Sequence, residues 1–223
     1  MPRPQYAILL DGGFLTKKLK TRLGRHPNAD DIVCECDRLR NLSLVSDYEL
    51  LRIYYYDAHP CSESTAHPVS KRVYRLATTE RYRQSQSLFD QLVLKPHFAL
   101  RMGEVILSPD KWTLNPRVAK ELLKAPRPLT DEDFKLDASQ KGVDLRIGMD
   151  MARLALREMV RAIIVVTGDS DFVPAFKFVR REGVKVILEP LGHNTRLDLR
   201  QHADIVLETE SHFSEPFRHS DDR

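Results

Sequence analysis

The stretch VVTGDSDF, residues 165–172, sets two carboxylates one residue apart, Asp169 and Asp171, where an apolar run over residues 162–166 stops at a glycine. Like charges that close repel, and burying either costs free energy unless a cation or hydrogen-bond donor compensates. They are either solvated turn residues or part of a metal site. A third acid, Asp11, ends the apolar run of residues 6–10, and Asp57 ends another at 50–56. A fifth acid is Asp144, in KGVDLRIGMDM, residues 141–151. Helical spacing puts Asp144 on one stripe with Ile147 and Met151, which is expected to face the body. Asp150 lies about 120° around the helix from Asp144, so it is expected to be supporting or structural rather than to share an ion with it.

Each acid has a plainer reading. Asp11 before Gly12 and Gly13 is a candidate helix N-cap, as is Asp169 or Ser170 for the helix that follows, and Asp57 reads best as a turn residue. Capping does not account for Asp144 on a body-facing stripe together with Asp11 and Asp169. Clustered carboxylates without matching arginines favour Mg²⁺ or Mn²⁺, hard cations that take oxygen ligands. Such a site suits phosphodiester hydrolysis, with Lys141 or Ser170 touching the phosphate.

The elements that must position these acids alternate. Strands are expected at 6–10, 50–56, 98–107, 162–166, 184–188 and 203–207. Helices are expected at 14–23, 30–44, 69–92, 143–158, 172–181 and 195–201. Apolar runs this continuous indicate a parallel sheet covered on both faces, an α/β fold. Ligands in such sheets bind at the carboxyl ends of the strands, where these acids fall. Residues 1–210 read as a single domain with an insertion or long loop at about 108–140, containing Trp112, and 211–223 as a flexible tail.

The 223 residues are 42% hydrophobic and 30% charged, which describes a soluble globular chain. No apolar run approaches a membrane span, and the first residues read as a strand rather than a signal peptide, so a cytoplasmic protein is expected. Cys34, Cys36 and Cys61 lack metal-ligand spacing and read as free thiols, despite His59 near Cys61. The net charge of +3 is modest. Its distribution is uneven: Lys17, Lys18, Lys20, Arg22 and Arg25 form one cluster, and Lys71, Arg72, Arg75, Arg81 and Arg83 another. Such clusters are either phosphate-binding patches or ordinary solvated helix faces.

LLDGGFL, KGVDLRIGMDM, VVTGDSDFVPAFKFVRREGVKV and LGHNTRLDLRQHADIVLE, in this order, resemble the NYN domain family, LabA-like branch, related to PIN-domain nucleases. The resemblance is close over residues 141–208 and loose over 6–107. It implies a three-layer α/β/α Rossmann-like (PIN-like) sandwich with a central, mainly parallel sheet. It also implies an Mg²⁺ or Mn²⁺ site at Asp11, Asp144, Asp169 and Asp171, and endoribonuclease-like cleavage of RNA, with Lys141, Ser170 and Lys17 toward the substrate. The alternative is a non-catalytic RNA-binding or regulatory module, and a homodimer is allowed. In one respect the chain departs from related nucleases, which often carry Asn just after the first-strand Asp; here Gly12, Gly13 and Phe14 follow.

Overall fold

The computed structural model describes residues 2–207, so the stretch read as a tail, 211–223, lies outside the described residues. Seven strands form one sheet in the order β6-β5-β2-β1-β7-β8-β9. The central strand β1 (Gln5–Asp11) is buried at all five interior positions. It lies parallel to β2 (Glu49–His59) on one side and to β7 (Ala162–Val166) on the other. Beyond β2 come β5 (Phe98–Leu114) and, antiparallel to it, β6 (Phe134–Lys141). Beyond β7 come β8 (Lys185–Glu189) and β9 (Ile205–Val206), both parallel.

Alternate residues of β1 feed two cores. Ile8 and Leu10 pack with Leu15 and Leu19 of α1 (Gly12–Leu23), Ile32 of α2 (Ala29–Arg40) and Leu88 of α3 (Glu80–Leu92). Ala7 and Leu9 pack with Ile147 and Met151 of α5 (Val143–Leu156) and Phe176 of α6 (Val173–Arg181). The result is a three-layer α/β/α sandwich, as the continuous apolar runs require. The chain builds outward from β1 through β2, then resumes on β1's other edge at β7. Strand order therefore reverses between β1 and β7, and the crevice at their carboxyl ends is where this architecture places a ligand.

Two stretches differ from expectation. The helix expected over 69–92 begins only at Glu80, where the Thr79 side chain accepts the Tyr82 N–H. Upstream, β3 (Ser64–Ala66) and β4 (Val73–Arg75) form an antiparallel ribbon. Tyr74 and His67 there pack on Trp112, with ring centroids 5.5 and 5.1 Å away, a contact that outweighs local helical spacing. Residues 108–140 carry the far half of β5, the short helix α4 (Pro116–Lys124) and β6, a hairpin arm continuous with the sheet. The short helix α7 (Leu197–Gln201) precedes β9. The cysteines carry no disulfide. No helix among the described residues is long and apolar enough to cross a membrane.

α1 leaves β1 so tightly that only glycine fits its first position. A Cβ on Gly12 would stand 2.6 Å from the Tyr56 carbonyl oxygen and 2.7 Å from Tyr55 Cζ in the neighbouring strand. Gly12→Ala should therefore prise α1 from β2 and cost about 1–3 kcal/mol. Urea unfolding should show it as a lower midpoint with an unchanged slope; an unchanged midpoint would contradict this packing.

Candidate functional site

The crevice between β1 and β7 is organised by a buried hydroxyl. Thr167, the first residue after β7, donates from Oγ1 to Asp11 Oδ2 at 3.1 Å and accepts the Asp169 N–H at 3.2 Å. It thus ties the end of β1 to the loop after β7. Asp11 Oδ1 accepts the Phe14 N–H at 3.1 Å, so Asp11 is the N-cap of α1 as well as a strand-end acid. Asp169 is exposed and accepts the Asp171 N–H at 2.9 Å, capping a short 3₁₀ turn that leads into α6. The capping readings of Asp11 and Asp169 hold, and capping leaves part of each carboxylate free.

Asp144 sits in the first turn of α5. The expectation that it faces the body is corrected: it is exposed, while Val143, Ile147, Met151 and Leu154 are buried. Its angular position matches the buried stripe and its neighbour Val143 is buried, but no side chain covers position 144, so the carboxylate emerges at the rim. There it lies within the electrostatic reach of Asp11, Asp169 and Asp171.

The electrostatics are those of crowded acids. Burial pushes the Asp11 carboxyl up from 3.8 to about 6; its two hydrogen bonds oppose this, and the charges of Asp144 and Asp169 add to it. Partial burial and the charges of Asp169 and Asp171 raise Asp144 as well. Among the described residues, none of Asp11, Asp144, Asp169 and Asp171 is in an ion pair. Asp150 contrasts with them, accepting from Arg101 Nε and Tyr56 Oη, both at 3.0 Å, and its role is structural.

The donor chemistry fits a hard divalent cation: oxygen ligands, net negative charge and no internal counter-ion. As placed, no three His, Cys, Asp or Glu side chains among the described residues stand close enough to hold an ion between them. Closing on a cation would require Asp144 or Asp169, both at the surface, to swing inward.

The residues expected toward a substrate surround this edge unevenly. Lys141 is exposed at the end of β6, just before the turn carrying Asp144. Ser170 lies in the 3₁₀ turn, where its Oγ accepts from Arg196 at 3.4 Å. Lys17 is exposed on α1, and its charge, with that of Lys18, acts on His193. Elsewhere the first basic cluster is neutralised in part: Arg22 pairs with Glu35 and Arg25 with Asp31.

Sequence reasoning missed Thr167 and Gln140 and undervalued Asp57. β2 runs on to His59, so Asp57 lies within the strand rather than in a turn. It accepts from Tyr55 Oη at 3.2 Å and Gln140 Nε2 at 3.0 Å, and burial raises its carboxyl. Gln140 spans from Asp57 to within 3.8 Å of the Cβ position of Gly13, beside Asp11. A polar residue between an apolar strand and a glycine was the available signal for Thr167; nothing local marks Gln140.

Residues 114–210 are similar to the family model described as NYN domain, a match over somewhat less than half of the chain that agrees with the three-layer α/β/α fold. No curated protein matches the chain. A solved structure, that of a protein of unknown function from Vibrio parahaemolyticus, aligns over 93% of this chain and 94% of its own. It is 15% identical, with a TM-score of 0.49.

The raised Asp11 carboxyl has a stability consequence whose sign is determined. A folded-state value of about 6 against an ordinary 3.8 means the group's favourable contribution is complete below 3.8 and lost as pH rises through 6. At neutral pH the ionised Asp11 thus costs about 3 kcal/mol. Asp11→Asn should raise the melting temperature at pH 7 in EDTA, with the gain shrinking toward pH 4. A gain that is absent, or that grows on acidification, would contradict the burial of this carboxylate.

Proposed function

We propose that this protein is a metal-dependent ribonuclease of the NYN family, LabA-like branch, hydrolysing phosphodiester bonds in RNA. The observation that carries the reading is the set of carboxylates Asp11, Asp144 and Asp169, without an ion pair among the described residues, near the strand-order reversal between β1 and β7, with burial pushing the Asp11 carboxyl up to about 6. Asp11, Asp144 and Asp169 would hold Mg²⁺ or Mn²⁺, with Asp171 as the adjustable fourth. Bound there, the cation would lower the pKa of a water nucleophile and neutralise charge developing on the phosphate oxygens. Thr167 keeps Asp11 oriented, while Lys141, Ser170 and Lys17 bind phosphates flanking the scissile bond.

One observation favours the runner-up, an RNA-binding module that does not cleave: the acids do not yet converge on one point. Gly12 and Gly13, where related nucleases often have Asn, fit it too, although Tyr55 and the Tyr56 carbonyl leave no room for a side chain at position 12.

The test is cleavage of mixed RNA and DNA substrates. The reading requires RNA cleavage in Mn²⁺ or Mg²⁺ that EDTA abolishes and that Asp169→Asn lowers by orders of magnitude. Mn²⁺ should also raise the wild-type melting temperature, by the equivalent of about 2.7 kcal/mol at a hundredfold excess over Kd. RNA binding without cleavage, unaffected by Asp169→Asn, would favour the module.

A further inference from the structure

Next to the acids, the ring of Phe14, packed in part against the core, meets a second aromatic ring. Phe14, whose N–H is held by Asp11, is only half-buried, and its ring reaches across the crevice to the loop after β7. Beside that loop it meets His193, from the turn after β8, with ring centroids 5.8 Å apart and planes inclined by 58°. Both rings press on Gly168, the residue before Asp169. A Cβ at that position would lie 2.6 Å from Phe14 Cε2 and 2.6 Å from His193 Cδ2. The ring pair therefore spans the crevice one residue from a proposed ligand.

His193 is exposed, yet its backbone is held. Its N–H donates to the Pro190 carbonyl at 2.8 Å, and the Leu191 N–H donates to Glu189 Oε1 at 2.7 Å. Glu189, wholly buried at the end of β8, also accepts from Arg38. An aromatic side chain exposed on a fixed turn is a pre-organised surface.

Positive charge gathers on the same spot. Lys18 Nζ stands 5.7 Å from the centre of the Phe14 ring, and Arg196 reaches Ser170 Oγ across the loop from Asp169. Among the described residues Lys17, Lys18 and Arg196 have no carboxylate partner, unlike Arg22 near the end of α1 and Arg25 just past it. Partial burial and the charges of Lys18 and Lys17 hold the His193 imidazole below its usual range. An exposed ring over a second aromatic, rimmed by unpaired cations, has the composition of a single-strand nucleic-acid platform: bases stack on the rings while phosphates meet the cations.

We propose that His193, backed by Phe14, is the stacking shelf for an unpaired RNA base adjoining the phosphate at the acidic edge, with Lys18 and Arg196 engaging the neighbouring phosphates. The assignment rests on the RNA reading above and adds to it one base-stacking contact, at His193, which only an unpaired base can make. A duplex keeps its bases stacked on one another and offers none to the shelf.

The test measures binding in EDTA, where cleavage does not intervene, using fluorescence anisotropy of a short labelled oligoadenylate and of the same strand annealed to its complement. Wild type should prefer the single strand. His193→Ala should weaken binding roughly 5- to 100-fold, and His193→Phe should restore it. Lys18→Ala should reduce the slope of log affinity against log salt by about one. His193→Ala binding like wild type, or equal affinity for the duplex, would overturn the shelf while leaving Asp169-dependent cleavage as a separate question. Wild type binding neither form would overturn the shelf, while the RNA reading stands or falls on the metal-dependent cleavage assay.

Discussion

The hydroxyl of Thr167 donates to Asp11 and accepts from the Asp169 N–H, and the geometry of the carboxyl edge follows from that pair of bonds. β1 and β7 are already in register through five residue pairs, so the bridge does not hold the sheet together. It closes the last span, where the strands end and ordinary sheet hydrogen bonding stops. A side chain that is donor and acceptor at once is needed here, because Asp11 ionised can only accept and a backbone N–H can only donate. The bridge keeps one Asp11 oxygen oriented, Phe14 occupies the other, and the Asp169 loop leaves β7 in one direction.

That arrangement stabilises geometry more than energy. Three acids share an edge without an arginine among them, while the chain supplies ion pairs freely elsewhere: Arg101 to Asp150, Arg127 to Asp133, and Arg38 to both Glu35 and Glu189. Glu35, Asp133, Asp150 and Glu189 each have an arginine in contact, whereas Asp11 and, on β2, Asp57 have no ion pair among the described residues. Uncompensated charge at a strand-order reversal is the kind of local cost that functional sites carry and core positions do not. The buried Arg38 network also serves the site at a distance, since Glu189 fixes the turn that presents His193.

The hairpin arm contributes a second route to the same edge. β5 and β6 carry Gln140 back to Asp57 and Gly13, and the Lys141–Gly142 turn launches α5 with Asp144 in its first turn. The segment that looks least regular in sequence therefore positions one of the acids. Its outer part is held by Trp112 against His67 and Tyr74.

Some of this is legible in the residues alone. Continuous apolar runs ending in Asp11 and in Thr167-Gly168-Asp169 determine buried parallel strands and put acids at their carboxyl ends, because burial on both faces leaves polar groups no other place. Alternation of those runs with helical spacing determines the layered α/β class. Tertiary structure alone decided the rest. Whether Asp144 faced in or out depended on what covers it, not on its angle around the helix. That Asp57 lies inside a strand, that residues 73–75 extend rather than coil, that Gln140 meets Asp57, and that Phe14 and His193 meet beside Gly168 all depend on contacts between distant segments. Local propensity is worth tenths of a kcal/mol per residue, and such contacts outweigh it.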